Sequence, residues 1–281
     1  MTPRQNSLRY LLAGAFHRLA WTEWGPADGP AVVCVHGVTR SGRDFDALAT
    51  CLADRGYRVL CPDLPGRGES GWLRDPMLYT PVSYVVALAH LLARLDGPVD
   101  WVGTSLGGIC GMMVAAGDDN PLRRLVLNDV GSRVPAEASA RIGAYMQQNF
   151  TFEDMAALEA HLRLVHAPFG ALTDAQWRHL AAHSARSLPD GRLAMHYDPA
   201  IAVPIAKAPP GEVDLTPIWL RVTVPTLLLR GGDSDILDAE TAAAMAQRPA
   251  VSLVTFPDIG HAPALMDAAQ IQAVTKFLEG R

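Results

Sequence analysis

The run Val99-Asp100-Trp101-Val102-Gly103-Thr104-Ser105-Leu106-Gly107-Gly108 takes a short apolar strand into a Gly-x-Ser-x-Gly turn and then into small residues that suit a helix. A strand that turns directly into a helix belongs to a layered α/β sheet, and a serine at the apex of that turn stands clear of both elements. Glycine on either side lets the backbone turn tightly and lets strand and helix approach. The plain alternative is a serine that only caps the helix. A serine hydroxyl is a poor nucleophile by itself, so the nucleophile reading requires a base, an acid to orient it and donors for an oxyanion elsewhere in the chain.

The rest of the sequence alternates in the same way. Strands are expected over Leu19–Trp24, Ala31–Val35, Tyr57–Cys61, Arg123–Asp129, Val224–Arg230 and Val251–Phe256, and helical spacing runs from Phe45 to Asp54 and from Val82 to Leu95. Ala-Val-Val-Cys-Val at 31–35 is continuously apolar, as a parallel strand covered on both faces should be. Repeated strand and helix calls for a mostly parallel sheet with right-handed crossovers. Between Val130 and Thr223 the alternation fails: the segment is Ala-rich, helical in period and interrupted by Pro168, Pro189, Pro199, Pro204 and Pro217. A helical cap inserted above the strand ends is therefore expected at 131–223, with 1–130 and 224–281 forming one core, because open α/β sheets bind ligands at that edge.

A chain of 281 residues, 49% hydrophobic, can enclose one large core. Its net charge of −5 carries no basic block, which argues against a nucleic-acid partner. No segment reads as a signal peptide or a bilayer span, so the expectation is a cytoplasmic protein without a membrane partner, monomeric or homodimeric. Cys34, Cys51, Cys61 and Cys110 form no Cys-x-x-Cys pair and read as reduced, structural thiols.

His261 follows the last expected strand in Pro257-Asp258-Ile259-Gly260-His261-Ala262-Pro263, which puts it at the same sheet edge as Ser105. There it can take the hydroxyl proton and return it to a leaving group. His161, His166, His179, His183 and His196 fall in the cap and read as surface or core residues. Three carboxylates are candidates for the orienting acid. Asp235 is favoured because Ile236 and Leu237 would bury it; Asp233, between Gly232 and Ser234, and Asp129, after the strand ending at Asn128, remain open. His36-Gly37-Val38 follows a buried strand, so the Val38 N–H and the Leu106 N–H beside the nucleophile are the expected oxyanion donors.

With these residues in place the chain resembles the α/β-hydrolase superfamily, in its lidded esterase-like branch. His36-Gly37, Pro62-Asp63-Leu64-Pro65-Gly66-Arg67-Gly68-Glu69-Ser70, Gly103 to Gly108, Asp235 and Gly260-His261 stand in family order, and the order serine, acid, histidine is the one that fold uses. The resemblance implies an eight-stranded, mostly parallel sheet flanked by helices, Ser105 as nucleophile, His261 as base, and no cofactor or metal. Many members carry the acid where this chain has Ser234, flanked by Asp233 and Asp235; some relatives draw it from the position that Asp129 matches. The expected activity is cleavage of small-molecule carboxylic esters through an acyl-enzyme. Met146, Phe150, Phe152, Met155, Phe169 and Trp177 of the cap are candidates for an apolar substrate pocket. Carbon–carbon bond hydrolysis of vinylogous diketones, or a receptor built on the same scaffold, are the alternatives.

Overall fold

A computed structural model describes residues 2–209 and 211–280. Met1 and Arg281, which the core division includes, and Pro210 of the cap segment lie outside them. Eight strands make one sheet: β1 (Arg4–Leu12), β2 (Ala15–Trp24), β3 (Ala31–Val35), β4 (Arg58–Pro62), β5 (Val99–Thr104), β6 (Leu122–Asn128), β7 (Thr226–Gly231) and β8 (Val251–Phe256). Their order is β1-β2-β4-β3-β5-β6-β7-β8. Only the β1/β2 and β2/β4 pairs are antiparallel; the other five pairings are parallel. The sheet is thus the eight-stranded, mostly parallel one of the α/β-hydrolase fold.

Both faces of the sheet are covered, which explains the unbroken apolar strands. Val33, Val35, Leu60, Trp101, Leu125 and Leu127 enter the core on one face, and Val32, Cys34, Val59, Cys61, Val102 and Val126 enter the core on the other. Helices α1 (Asp46–Ala53), α2 (Pro81–Leu92) and α3 (Leu106–Ala115) connect the first strands, while α9 (Ala239–Met245) and α10 (Ala268–Leu278) flank the last two. All four cysteines are free thiols. No helix among the described residues is long and apolar enough to cross a membrane.

One strand has no counterpart in the sequence reading. Residues 4–12 form β1, an edge strand with Arg4, Gln5, Ser7 and Arg9 outward, and it turns back into β2 through Ala13 and Gly14, both at positive φ. Two positive-φ residues make the tight hairpin turn whose twist suits paired strands, but alanine in the first of them hides the signal.

Between β6 and β7 the chain leaves the sheet and forms α4 (Ala136–Met146), α5 (Met155–Val165), α6 (Asp174–Ala182), α7 (Ala202–Lys207) and α8 (Thr216–Trp219). Arg133–Val134 pairs antiparallel with Val213–Asp214 near the two ends of this segment, and a further small three-stranded sheet lies within it.

Parallel register brings the carboxyl ends of β5, β6 and β7 to one rim. The Ser105 N–H donates to Asn128 O at 3.0 Å and the Asp129 N–H donates to Leu229 O at 2.8 Å, so neighbouring strand ends are locked side by side.

Candidate active site

Ser105 sits between β5 and α3 at φ 52° and ψ −116°, a left-handed conformation that non-glycine residues adopt at a cost. The close approach around it needs both flanking glycines. A Cβ on Gly103 would lie 2.3 Å from Gly107 O, and one on Gly107 would lie 1.9 Å from Val35 O. The strained turn lifts the serine side chain out of the sheet layer, and Ser105 remains partly exposed.

The Ser105 hydroxyl donates to His261 Nε2 at 3.0 Å. His261 Nδ1–H in turn donates to Asp129 Oδ2 at 2.7 Å. Asp129 directly follows β6, is fully buried, and has its other oxygen, Oδ1, bonded by the Gly231 N–H at 2.8 Å. The Ser234 hydroxyl donates to Oδ2 at 2.5 Å. A carboxylate fixed by three donors cannot swing away from the imidazole, so it selects the tautomer that leaves Nε2 free to accept from serine. The imidazole loop is tethered as well: Asn128 Nδ2 donates to Pro263 O at 2.8 Å, and the Asp233 N–H donates to Ile259 O at 2.8 Å.

The sequence-favoured acid is therefore corrected. Asp235 is half-exposed and pairs with Arg141 of α4 at 2.6 Å; Asp233 is exposed. Ile236 and Leu237 are indeed buried, but Asp235 is exposed and, with Arg141, lines the cavity over Ser105 without bonding His261. Ser234, which occupies the position where many relatives carry the acid, is buried and supports Asp129 instead.

Val38 and Ser105 line a cavity of about 470 Å³ together with His261, Tyr145, His166 and Phe169. The Val38 carbonyl accepts from the fully buried Arg67 at 2.8 Å, which fixes the loop after β3. Leu106 is the first residue of α3, where an N–H has no intrahelical acceptor. Of the apolar cap residues expected to face substrate, Phe169 reaches this cavity, whereas Met146, Phe152 and Trp177 are buried in the core and Met155 faces solvent. Phe150 packs on Tyr145 and His161 instead. Ile142, Tyr145, Val165 and His166, all between β6 and β7, supply one wall, and no sequence feature singles them out as lining residues.

Asp46, His179 and His183 bring three potential metal-ligand atoms within 4.8 Å of one another. Arg43, however, pairs with the Asp46 carboxylate at 2.5 Å, and His179 Nε2 donates to Arg43 O at 2.9 Å. Burial, aided by Arg43, pushes His183 down to about 4. These bonds tie α6 to the start of α1, and the guanidinium already occupies the carboxylate.

His36 shows how strongly the loop beneath the site is specified. Its Nδ1–H donates to Gly37 O at 2.7 Å, and its Nε2 accepts the Leu64 N–H at 2.9 Å, so only the neutral ring fits. Burial pushes its pKa down to about 3. Asp63 shifts the other way: burial raises it to about 6, although the Glu69 and Gly42 N–H groups donate to it. Neutral His36 adds stability that is whole above the ordinary histidine value near 6.5 and is lost as pH falls from there towards 3. Protonated Asp63 adds stability that is whole below the ordinary carboxylate value near 4 and is lost as pH rises through 6. The two oppose each other between about pH 4 and 6. In Asp63→Asn, urea unfolding should therefore show stability declining with falling pH more steeply than in the parent, by up to about 1.4 kcal/mol per pH unit. Parallel profiles for the two proteins would contradict it.

Residues 32–273 match the model of the alpha/beta hydrolase family, and the chain belongs to that family. It is 42% identical, over 99% of both chains, to a 3-hydroxybutyrate-oligomer hydrolase of Cupriavidus necator. It is also 28% identical to a 2-(acetamidomethylene)succinate hydrolase of Mesorhizobium japonicum, over 89% of this chain and 88% of that one. Among solved structures, an alpha/beta hydrolase from Novosphingobium aromaticivorans superposes with a TM-score of 0.88 at 38% identity, covering 99% of this chain and 98% of its own.

Proposed function

We propose that the protein is a serine hydrolase that cleaves carboxylic esters, with short hydroxyacyl esters, such as 3-hydroxybutyrate oligomers, as its substrates. The observation that carries this reading is His261 bridging Ser105 and Asp129 through both ring nitrogens. Ser105 Oγ attacks the ester carbonyl carbon while its proton passes to His261 Nε2, and Asp129 stabilises the imidazolium that forms. The Val38 and Leu106 N–H groups hold the oxyanion. As the intermediate collapses, His261 returns the proton to the departing alkoxide, and an acyl group stays on Ser105. Water, deprotonated by His261, then attacks the acyl carbonyl; the acyl–Oγ bond breaks, His261 returns the proton to Ser105 Oγ and the acid leaves. The segment 131–223 acts as a lid that walls the acyl pocket, and no cofactor takes part.

The similarity to the Cupriavidus necator protein supports the hydroxyacyl class. Purified protein should release 3-hydroxybutyrate from the linear dimer and trimer, and should turn over a short-chain p-nitrophenyl ester, in preference to a vinylogous diketone. Preference for the diketone, or tight binding of esters without product, would overturn the reading.

A further inference from the structure

We propose that His166, on the segment 131–223, is a specificity-determining residue whose imidazole hydrogen-bonds an oxygen substituent on the acyl chain held over Ser105. The proposal rests on the ester-hydrolase reading and adds the group that selects hydroxylated acyl chains over plain ones. His166 caps the carboxyl end of α5 and lines the same cavity as Ser105 and His261. Its ring lies against Phe169, with centroids 4.5 Å apart and planes inclined by 24°, and its backbone N–H bonds Leu162 O at 2.8 Å, so its placement is set by the fold. Nε2 is nevertheless buried with no hydrogen-bond partner among the described residues.

A buried polar nitrogen left unpaired costs stability, and a native structure completes it with a water or a ligand; beside the cavity over Ser105 a substrate oxygen can take that place. Burial first, and then the nearness of Arg40 and of the His161 and His261 rings, hold this imidazole well below its ordinary range, so it meets substrate as a neutral ring. A neutral imidazole has one donor and one acceptor. It therefore suits a hydroxyl or an ester oxygen, which bond it without bringing a charge into the wall. Its lining neighbours in sequence, Val165, Pro168 and Phe169, are apolar, while the polar groups Arg40, Tyr145 and Arg141 line the same cavity.

The test compares kcat/KM for p-nitrophenyl 3-hydroxybutyrate and p-nitrophenyl butyrate within each protein, so that any loss of folded protein cancels in the ratio. The parent should favour the hydroxylated ester about tenfold, the range that one net hydrogen bond supplies. His166→Phe, which keeps the ring stack on Phe169 without the nitrogen, should bring the ratio close to one, and His166→Gln should restore part of it. A ratio unchanged in His166→Phe would overturn the assignment. If the parent hydrolyses neither ester while the Ser105→Ala protein behaves identically, the ester-hydrolase reading falls, and the role of His166 falls with it.

Discussion

Asp129→Asn is expected to lower kcat for a p-nitrophenyl ester by about ten-thousandfold, while Asp235→Asn changes it by less than about twofold. In the first variant the amide oxygen would accept from the Gly231 N–H, which now donates to Oδ1, while the Ser234 hydroxyl beside Oδ2 can turn to accept from the amide NH2. That turns the amide NH2 towards His261, favours the tautomer with the proton on Nε2, and removes the lone pair that Ser105 needs. No counter-charge then stabilises the imidazolium in the transition state. In the second variant only the half-exposed pair with Arg141 on the cavity wall is lost; it does not bond His261, and such exposed pairs contribute little. Steady-state kinetics on the two purified variants decide the matter, and the reverse ranking would return the acid to Asp235.

Ser105→Ala should have the larger effect, a fall of about a millionfold in kcat, because no other oxygen is both bonded to His261 and placed at the mouth of α3. What remains should still exceed reaction in water by about a thousandfold, from the oxyanion donors and binding alone. The variant should fold normally or be slightly more stable, since alanine also occupies the strained φ of 52° without adding bulk. A thermal melt separates that outcome from simple unfolding, and a fall of tenfold or less in a folded protein would contradict the role given to the serine.

Much of this was legible in the sequence because the sheet is covered on both faces. Strands such as Ala31–Val35 then become unbroken apolar runs, and the loops at their carboxyl ends gather Ser105 and His261 at one rim. The register of three neighbouring strands sets which carboxylate meets His261, and register is not written in any one of them. Asp129 meets His261 only because β6 lies between β5 and β7, which turns the residue after Asn128 under the imidazole loop. The local argument for Asp235 does not carry to the fold: Ile236 and Leu237 are buried, yet Asp235 is exposed and pairs with Arg141 and not with His261. A signal did exist in Ser234: a small hydroxyl at the usual acid position cannot orient an imidazole but can donate to a carboxylate reaching in from β6. The cap walls stayed hidden for a different reason. Helical periodicity in α4 and α5 identifies an apolar face but does not say whether that face meets the cap core or the cavity, so Ile142, Tyr145 and Val165 were indistinguishable from Met146 and Leu158.

Covalent labelling by a fluorophosphonate tests the central claim most directly, because it requires an activated serine oxygen beside an oxyanion site and no knowledge of the natural substrate. Intact-mass analysis should find one adduct per chain, mapped to Ser105 by peptide digestion, absent from Ser105→Ala and formed far more slowly in Asp129→Asn. No adduct in the parent, or one that persists when Ser105 is replaced by alanine, would contradict the account.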